Sequence, residues 1–281
     1  MNMAEFAIVL VIILMIFGIV LQANENLSDK IIKTQEINNI EKMLNEIADN
    51  LVNNPGNPDN WQDYGFGTPG LACIGSEGNI IPNSVSYSKL IALGKNYDKL
   101  VSEALFNSKV KTSIELVPQK SSISSVKIGE WEEGDEIFSV NRWVKCDFYK
   151  SYTIWDFQND GKCNHQHGQT ENSCNYFKVF KGNLMSSDYY LLIDDGEDVD
   201  YIVDTTRVVK QRYWQTPTSN KIHLNPEINF YDDSSAVVFV HLNKPDARAV
   251  IVSVPKFFDS SFLEYAYFRS NECRFILTAW Y

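Results

Sequence analysis

Four side chains that can bind zinc or form disulfides lie close together in the middle of the chain. They are Cys163, His165, His167 and Cys174, in a polar segment. Thiolates and imidazoles are the ligands that Zn²⁺ prefers, but this spacing matches no established zinc motif. A Cys163–Cys174 disulfide competes for the same sulfurs and would stabilise a loop without a core by about 3 kcal/mol. The pattern favours the disulfide loop, with a metal site as the alternative.

The cysteine count restricts the remaining pairings. Five cysteines are present, so at least one is unpaired or bonded to another molecule. Cys146 and Cys273 both lie in strand-like runs and form the second candidate pair, which leaves Cys73 over. This usage fits an exported protein in an oxidising compartment better than a reduced enzyme.

Two acidic segments carry carboxylates at spacings that could bind calcium. Segment 156–161 has the acidic first and fifth positions and the glycine of a calcium loop, but His167 stands where the glutamate should be. Segment 194–200 is more densely acidic and could hold calcium between two strands. A plain turn is favoured for the first and an exposed hairpin tip for the second, so no cofactor is expected.

The sequence shows no pattern of a catalytic nucleophile. The four histidines stand at positions 165, 167, 223 and 241, and neither GxSxG, HExxH nor a phosphate-binding loop occurs. The net charge of −11 and the absence of a basic cluster also argue against a nucleic-acid partner. We therefore expect neither an enzyme nor a nucleic-acid-binding protein.

The strongest pattern lies at the start of the chain. Residues 6–21 include no polar side chain, and apolar residues then recur every three or four positions up to Leu51. With no proline before Pro55, this predicts one continuous helix from about residue 3 to residue 53. At 1.5 Å per residue the helix would be roughly 75 Å long, far longer than a head of this size needs for its own core.

Glu5 stands at the beginning of this apolar segment. Burying its carboxylate without a partner would cost several kcal/mol. It can lie at a membrane interface, or it can neutralise the α-amino group of a neighbouring subunit when the helix packs among copies of itself. The second alternative makes Glu5 an assembly residue.

Glu5, Phe6, the apolar helix and its amphipathic extension resemble a mature type IV pilin, and more closely the archaeal pilins with class III signal peptides. A second patch strengthens the resemblance, namely NPGNPDNW at 54–61, GLA at 70–72 and SKLIAL at 88–93. The chain departs from the family at its first three positions, where glutamine is often first. No Lys or Arg precedes the apolar segment, which fits a basic leader removed before Met1.

The resemblance implies a function and a set of partners. Met1, Glu5 and Phe6 would make assembly contacts, with the helix in the membrane before assembly and in the core of a homopolymer afterwards. A prepilin peptidase and an assembly ATPase would act on the chain. The implied function is a structural subunit of an extracellular archaeal type IV pilus-like filament, used for adhesion. The alternatives are a minor pilin or pseudopilin, and a membrane-anchored extracellular binding domain.

The resemblance and the residue pattern together predict an α+β fold of ladle-like shape. The helix (1–53) precedes an extracellular head (54–281), in which a turn-rich neck and a short helix over 86–105 occupy 54–109. From 110 to 281 the apolar period changes to two, which predicts an antiparallel β-sandwich or barrel. The expected strands include 188–194, 249–255 and 262–268, and a hairpin turn is expected at 243–246.

Asn26 begins the sequence Asn-Leu-Ser, an N-glycosylation sequon. It is therefore the glycosylation candidate of an exported chain. Its place on the predicted helix, near the core of a filament, argues against its use.

Overall fold

The computed structural model describes residues 3–75, 78–119, 123–130, 134, 136–159, 173–205 and 213–280. Side chains are described from Met15 onward, except at positions 26, 29 and 159. The described residues have a mixed α+β architecture, with one long N-terminal helix followed by mainly antiparallel strands. The predicted fold class is confirmed at this level.

The long helix, α1, spans Met3–Asn53, as the sequence predicted. Its buried face begins at Ile40 and continues through Leu44, Ala48 and Leu51, at the spacing of one helix face. The helix ends at Asn53 because Pro55 disfavours a helical conformation at the preceding residue.

The remaining described helices are short. They are α2 (Trp61–Tyr64), α3 (Tyr87–Lys95), a π-helical turn (Asp98–Glu103) and α4 (Asn183–Ser186). The single helix predicted over 86–105 is wrong in its continuity, because the chain turns at Asn96, whose side-chain amide donates to the Ala92 carbonyl at 3.2 Å. Its apolar positions are nevertheless buried in the core, as Leu90, Leu93 and Leu100 show.

The described strands are numbered in chain order. They are β1 (Ala72–Ile74), β2 (Ile80–Ser86), β3 (Lys111–Pro118), β4 (Val126–Gly129), β5 (Ile137–Asp147), β6 (Thr153–Asp156), β7 (Ser173–Phe180), β8 (Ser187–Ile193), β9 (Tyr201–Thr205), β10 (Lys221–His223), β11 (Ser235–Leu242), β12 (Ala249–Pro255) and β13 (Ser270–Trp280).

Six strands form the sheet on which α1 lies, in the order β1-β2-β5-β13-β3-β4. All neighbours are antiparallel except β2 and β5, which run parallel over three residue pairs. The face of this sheet, α1 and α3 share one hydrophobic core, to which β13 contributes Phe275 and Leu277. The last part of α1, from Ile40 onward, is therefore part of the head.

Residues 148–269, which we call the inserted unit, lie between β5 and β13 in sequence. A four-stranded sheet (β10-β8-β12-β6) and a three-stranded sheet (β7-β11-β9) share a second core there. Leu192 and Val252 on the other face of the four-stranded sheet pack against Phe268. Tyr149 contacts the core of α1 as well as this third cluster, and so connects the two parts of the head.

Several strand predictions are wrong. The segment expected as a neck contains β1 and β2, and β7 was not predicted. Segment 262–268 forms 3₁₀ turns instead of a strand, and the turn at 243–246 joins β11 and β12, which lie in different sheets. Periodicity alone does not distinguish a buried 3₁₀ turn with aromatic residues from a short strand.

Candidate assembly interface

Helix α1 exposes large apolar side chains over the half that precedes its contact with the head. Phe17 is 61% exposed and Ile19 is 67% exposed, although such side chains are usually buried. Among the side chains of α1 that the structure describes, the set is Met15, Ile16, Phe17, Ile19, Val20, Leu21, Leu27, Ile31 and Ile32. An apolar surface of this extent marks a site of contact with a membrane or with protein.

The exposed residues fall into two groups. From Met15 to Leu21 they surround the helix, whereas Leu27 and Ile31 are separated by one turn and form a stripe among polar residues. The stripe precedes Lys33, where α1 first meets the head, and burial on α1 begins only at Ile40. The head therefore leaves the stripe uncovered.

The predicted assembly residues lie at the beginning of the same helix. Glu5 and Phe6 are within α1, but their side chains, like that of Asn26, lie outside the described part. Met1 also lies outside it. Their roles remain predictions.

The head and α1 first meet near Lys33, which forms an ion pair with Glu136. More than four turns further along, Arg142 on β5 binds Asp49 through Nε and Nη2 of its guanidinium, at 2.6 and 3.1 Å. The same guanidinium donates to the Asn45 side-chain oxygen at 2.9 Å. This fork fixes the rotation of α1 on the sheet.

The Arg142–Asp49 pair predicts a pH dependence of stability. The hydrogen bond from Arg142 holds the pKa of the Asp49 carboxyl below its usual value. A lowered folded-state pKa means that the pair stabilises the fold above the unfolded-state pKa, and that this stabilisation is lost as the pH falls through the folded-state pKa. Asp49→Asn should lower the free energy of unfolding at pH 7 by about 0.5 kcal/mol, because both partners are partly exposed.

Urea unfolding at pH 7 and at pH 3 measures this effect. The difference between wild type and Asp49→Asn should shrink at pH 3, whereas Glu46→Gln on the exposed face of the same helix should change little at either pH. Equal differences at both pH values would contradict the assignment.

The end of α1 is attached to the head by a compact group of residues, which we call the joint. The joint consists of Asn54, Gly56, Trp61, Gly70 and Lys89. The Trp61 side chain is fully buried, and its indole N–H donates to the Gly70 carbonyl at 2.9 Å. Gly56 has φ of +92°, and a Cβ there would lie 2.3 Å from the Trp61 ring. Glycine is therefore required at position 56 both for the backbone conformation and for space.

Lys89 contributes hydrogen bonds to backbone carbonyls in the joint. The residue is only 5% exposed, and its ammonium group donates to the carbonyls of Pro55 at 2.7 Å and Ala72 at 3.4 Å. Burial lowers the pKa of Lys89. Its charge lies beyond the C-terminal end of α1, where the helix dipole favours a cation. The motif patch at 54–61, 70–72 and 88–93 thus corresponds to this joint, but its spacing did not reveal the contacts of Lys89.

The cysteines are only partly described. Cys73, Cys146 and Cys273 carry free thiols, so the predicted Cys146–Cys273 bridge is not formed in the structure, although their thiols are in contact. Cys163 lies outside the described residues, so the predicted Cys163–Cys174 bridge remains a prediction. The same holds for the alternative zinc site, because His165 and His167 lie outside as well.

The acidic segment 194–200 is an ion-pair cluster. The nearly buried Glu197 carboxylate accepts hydrogen bonds from Lys244 and, at 2.8 Å, from Arg248, which also pairs with Asp194 at 2.7 Å. Lys244, and then Arg248, hold the pKa of Glu197 below its usual value. Two of the five carboxylates in the segment, those of Asp194 and Glu197, are thus paired with cations. The expected hairpin tip is wrong, because the segment connects β8 and β9, which lie in different sheets.

The described part of the chain contains no group of three His, Cys, Asp or Glu side chains that could hold a metal. Asp156, the first position of the calcium-like segment, pairs with Arg269 at 2.9 Å. Positions 160 and 161 of that segment lie outside the described residues.

Comparisons with known proteins give no match to this chain, whether against family models, curated proteins or solved structures. Among residues whose side chains are described, no helix is both long enough and apolar enough to cross a membrane.

Proposed function

We propose that this chain is a structural subunit of an extracellular archaeal type IV pilus-like filament, used for adhesion. In this proposal the ladle-like subunit rests in the membrane through the start of α1 and is processed by a prepilin peptidase. An assembly ATPase then drives its polymerisation through packing of α1 against other copies. The sequence resemblance and the exposed half of α1 support this assignment.

The observation that carries the proposal is the Leu27–Ile31 stripe. A membrane anchor alone would account for the apolar residues up to Leu21, since lipid would surround them. It would not account for Leu27 and Ile31, which are 58% and 57% exposed among polar residues. Apolar residues that lie one turn apart on a helix are typical of helix–helix packing. The stripe therefore favours assembly over a simple anchored domain.

Substitution of the stripe tests the proposal. We expect Leu27→Asn with Ile31→Asn to lower the ratio of this chain in sheared fibres to that in the membrane fraction at least tenfold. Loss of about 1.5–3 kcal/mol per buried side chain supports an effect of this size. Glu5→Gln should lower the ratio as well, because an unpaired charge would remain in a dry core.

The matched control is Glu36→Asn, on the side of α1 roughly opposite to Leu27. It should leave the ratio unchanged, and all variants should reach the membrane at wild-type levels. An unchanged ratio in the stripe variant would contradict packing through this face. Absence of the wild-type chain from any fibre would favour the anchored binding domain instead.

A further inference from the structure

The inserted unit is joined to the rest of the head through one pair of strands. The chain leaves β5 after Asp147 and returns at Ser270, and these two residues are the last pair of an antiparallel ladder that continues to Ile137 and Trp280. Beyond that end, the Tyr149 N–H donates to the Tyr267 carbonyl at 2.8 Å. The inserted unit therefore leaves the six-stranded sheet at this end of the ladder.

Two buried cysteines lie at this end. Cys146 is opposite Asn271, and Cys273 is opposite Val144, so the two cysteines are diagonal neighbours on adjacent strands. Both are fully buried, and both belong to the core that α1 shares with the sheet. Diagonal neighbours on a strand pair lie on the same face of the sheet, although farther apart than directly opposite residues. The two thiols interact with each other, and the Cys273 thiol donates to the Asn271 carbonyl at 3.5 Å.

The surroundings give the two thiols different roles. The hydrogen bond from the Cys146 thiol lowers the pKa of Cys273, whereas burial raises the pKa of Cys146. Because the thiolate is the nucleophile in disulfide exchange, Cys273 is the better attacking group. Cys73 differs from both, since it is only half-buried on β1 and its sulfur is hydrogen-bonded to Ser84.

We propose that Cys146 and Cys273 are a dithiol that closes to a disulfide and clamps the base of the inserted unit. Because both thiols are fully buried in the closed ladder, the exchange takes place while this end of the ladder is open. The Cys273 thiolate attacks a small-molecule disulfide, forms a mixed disulfide and releases one small thiol. Cys146 then loses its proton and attacks the Cys273 sulfur, which releases the second small thiol. Two protein thiols are oxidised and one small disulfide is reduced, so the exchange balances.

The closed form would resist separation of β5 from β13. The bridge connects positions one residue before Asp147 and three residues after Ser270, so opening of the ladder from that end would stop almost at once. It would also close a very long loop in the unfolded chain, which favours the folded state. This inference does not depend on the filament proposal, because it concerns only the head.

Peptide mapping after trypsin digestion tests whether Cys146 and Cys273 are linked. Cleavage after Lys145, Lys150, Arg269 and Arg274 releases the two cysteines in separate short peptides, 146–150 and 270–274. The full chain, in mild detergent, is folded from urea in a buffer of reduced and oxidised glutathione, alkylated and digested without reductant. We expect these peptides to be recovered as one linked species from more than half of the molecules, and to separate after reduction.

Two variants complete the test. Cys73→Ser should still give the linked peptides. The disulfide should raise the urea midpoint of the wild type, and reductant should abolish this increase. The double variant Cys146→Ser, Cys273→Ser should show no such increase. Cys163 and Cys174 fall together in peptide 163–178, so their state is determined separately in the same digest. Alkylated Cys146 and Cys273 in the wild type, or linkage of either one to Cys73, would overturn the proposal.

Discussion

Deletion of residues 1–24 is expected to leave a soluble head that unfolds cooperatively at the urea midpoint of the full chain. The described side chains from Met15 to Leu21 are exposed, and burial on α1 begins only at Ile40. The described part of the removed segment, from Met15 onward, therefore contributes surface for other contacts and none of the core. Circular dichroism during urea unfolding measures the midpoint, and light scattering measures the aggregation state.

The contrasting variant is Leu44→Ala in the truncated chain. Leu44 is fully buried against the six-stranded sheet, so its truncation should lower the free energy of unfolding by about 2–5 kcal/mol. A truncated head that aggregates, or that unfolds without cooperativity, would show that the apolar half of α1 belongs to the core. An unchanged midpoint in Leu44→Ala would show that α1 does not pack on the head.

Gly70→Ala is expected to destabilise the head by about 3 kcal/mol, the upper range for added atoms in a close-packed site. A Cβ at position 70 would lie 2.3 Å from the Asn54 carbonyl oxygen and 2.4 Å from the Gly56 nitrogen. Both are backbone atoms, so they cannot move away as the end of a side chain would. The adjacent hydrogen bond from Ala72 N–H to the Asn54 carbonyl, 3.0 Å long, would lengthen.

Gly182→Ala is the matched control for this substitution. Gly182 has φ of −62° and no atom within 4 Å of the added Cβ, so alanine fits without strain. Its midpoint should equal or slightly exceed that of the wild type, because alanine restricts the unfolded chain. Equal effects of the two substitutions would mean that the joint does not restrain the end of α1.

The sequence predicted the elements whose signals are local. The length of α1 follows from its periodicity and from Pro55, and β8 and β12 follow from runs of β-branched and aromatic residues. It could not predict which strands pair. β13 pairs with β5 across more than a hundred residues, and β11 and β12, close in sequence, belong to different sheets. Such pairing is decided by core packing, which periodicity does not encode.

The candidate interface could be predicted only in part, for the same reason. The apolar segment of α1 was evident from composition, but the separation of the Leu27–Ile31 stripe from the buried face requires knowing where the head lies. Arg142 and Lys89 were missed, because their partners are distant in sequence and one of them is a set of backbone carbonyls. The carboxylates at 194–200 were evident in the sequence. Lys244 and Arg248, which pair with Glu197, are distant from it in sequence, so these ion pairs could not be predicted.

The position of β13 also determines when the head can form during protein synthesis. It lies between β5 and β3, yet it is the last strand of its sheet to leave the ribosome. While residues 270–280 are still being translated, β5 and β3 lack the neighbour that connects them, and α1 lacks part of the surface on which it packs. The inserted unit has its own core and is complete earlier, so it can fold first. Closure of the six-stranded sheet around α1 is thus a late event, long after the N-terminal helix has left the ribosome.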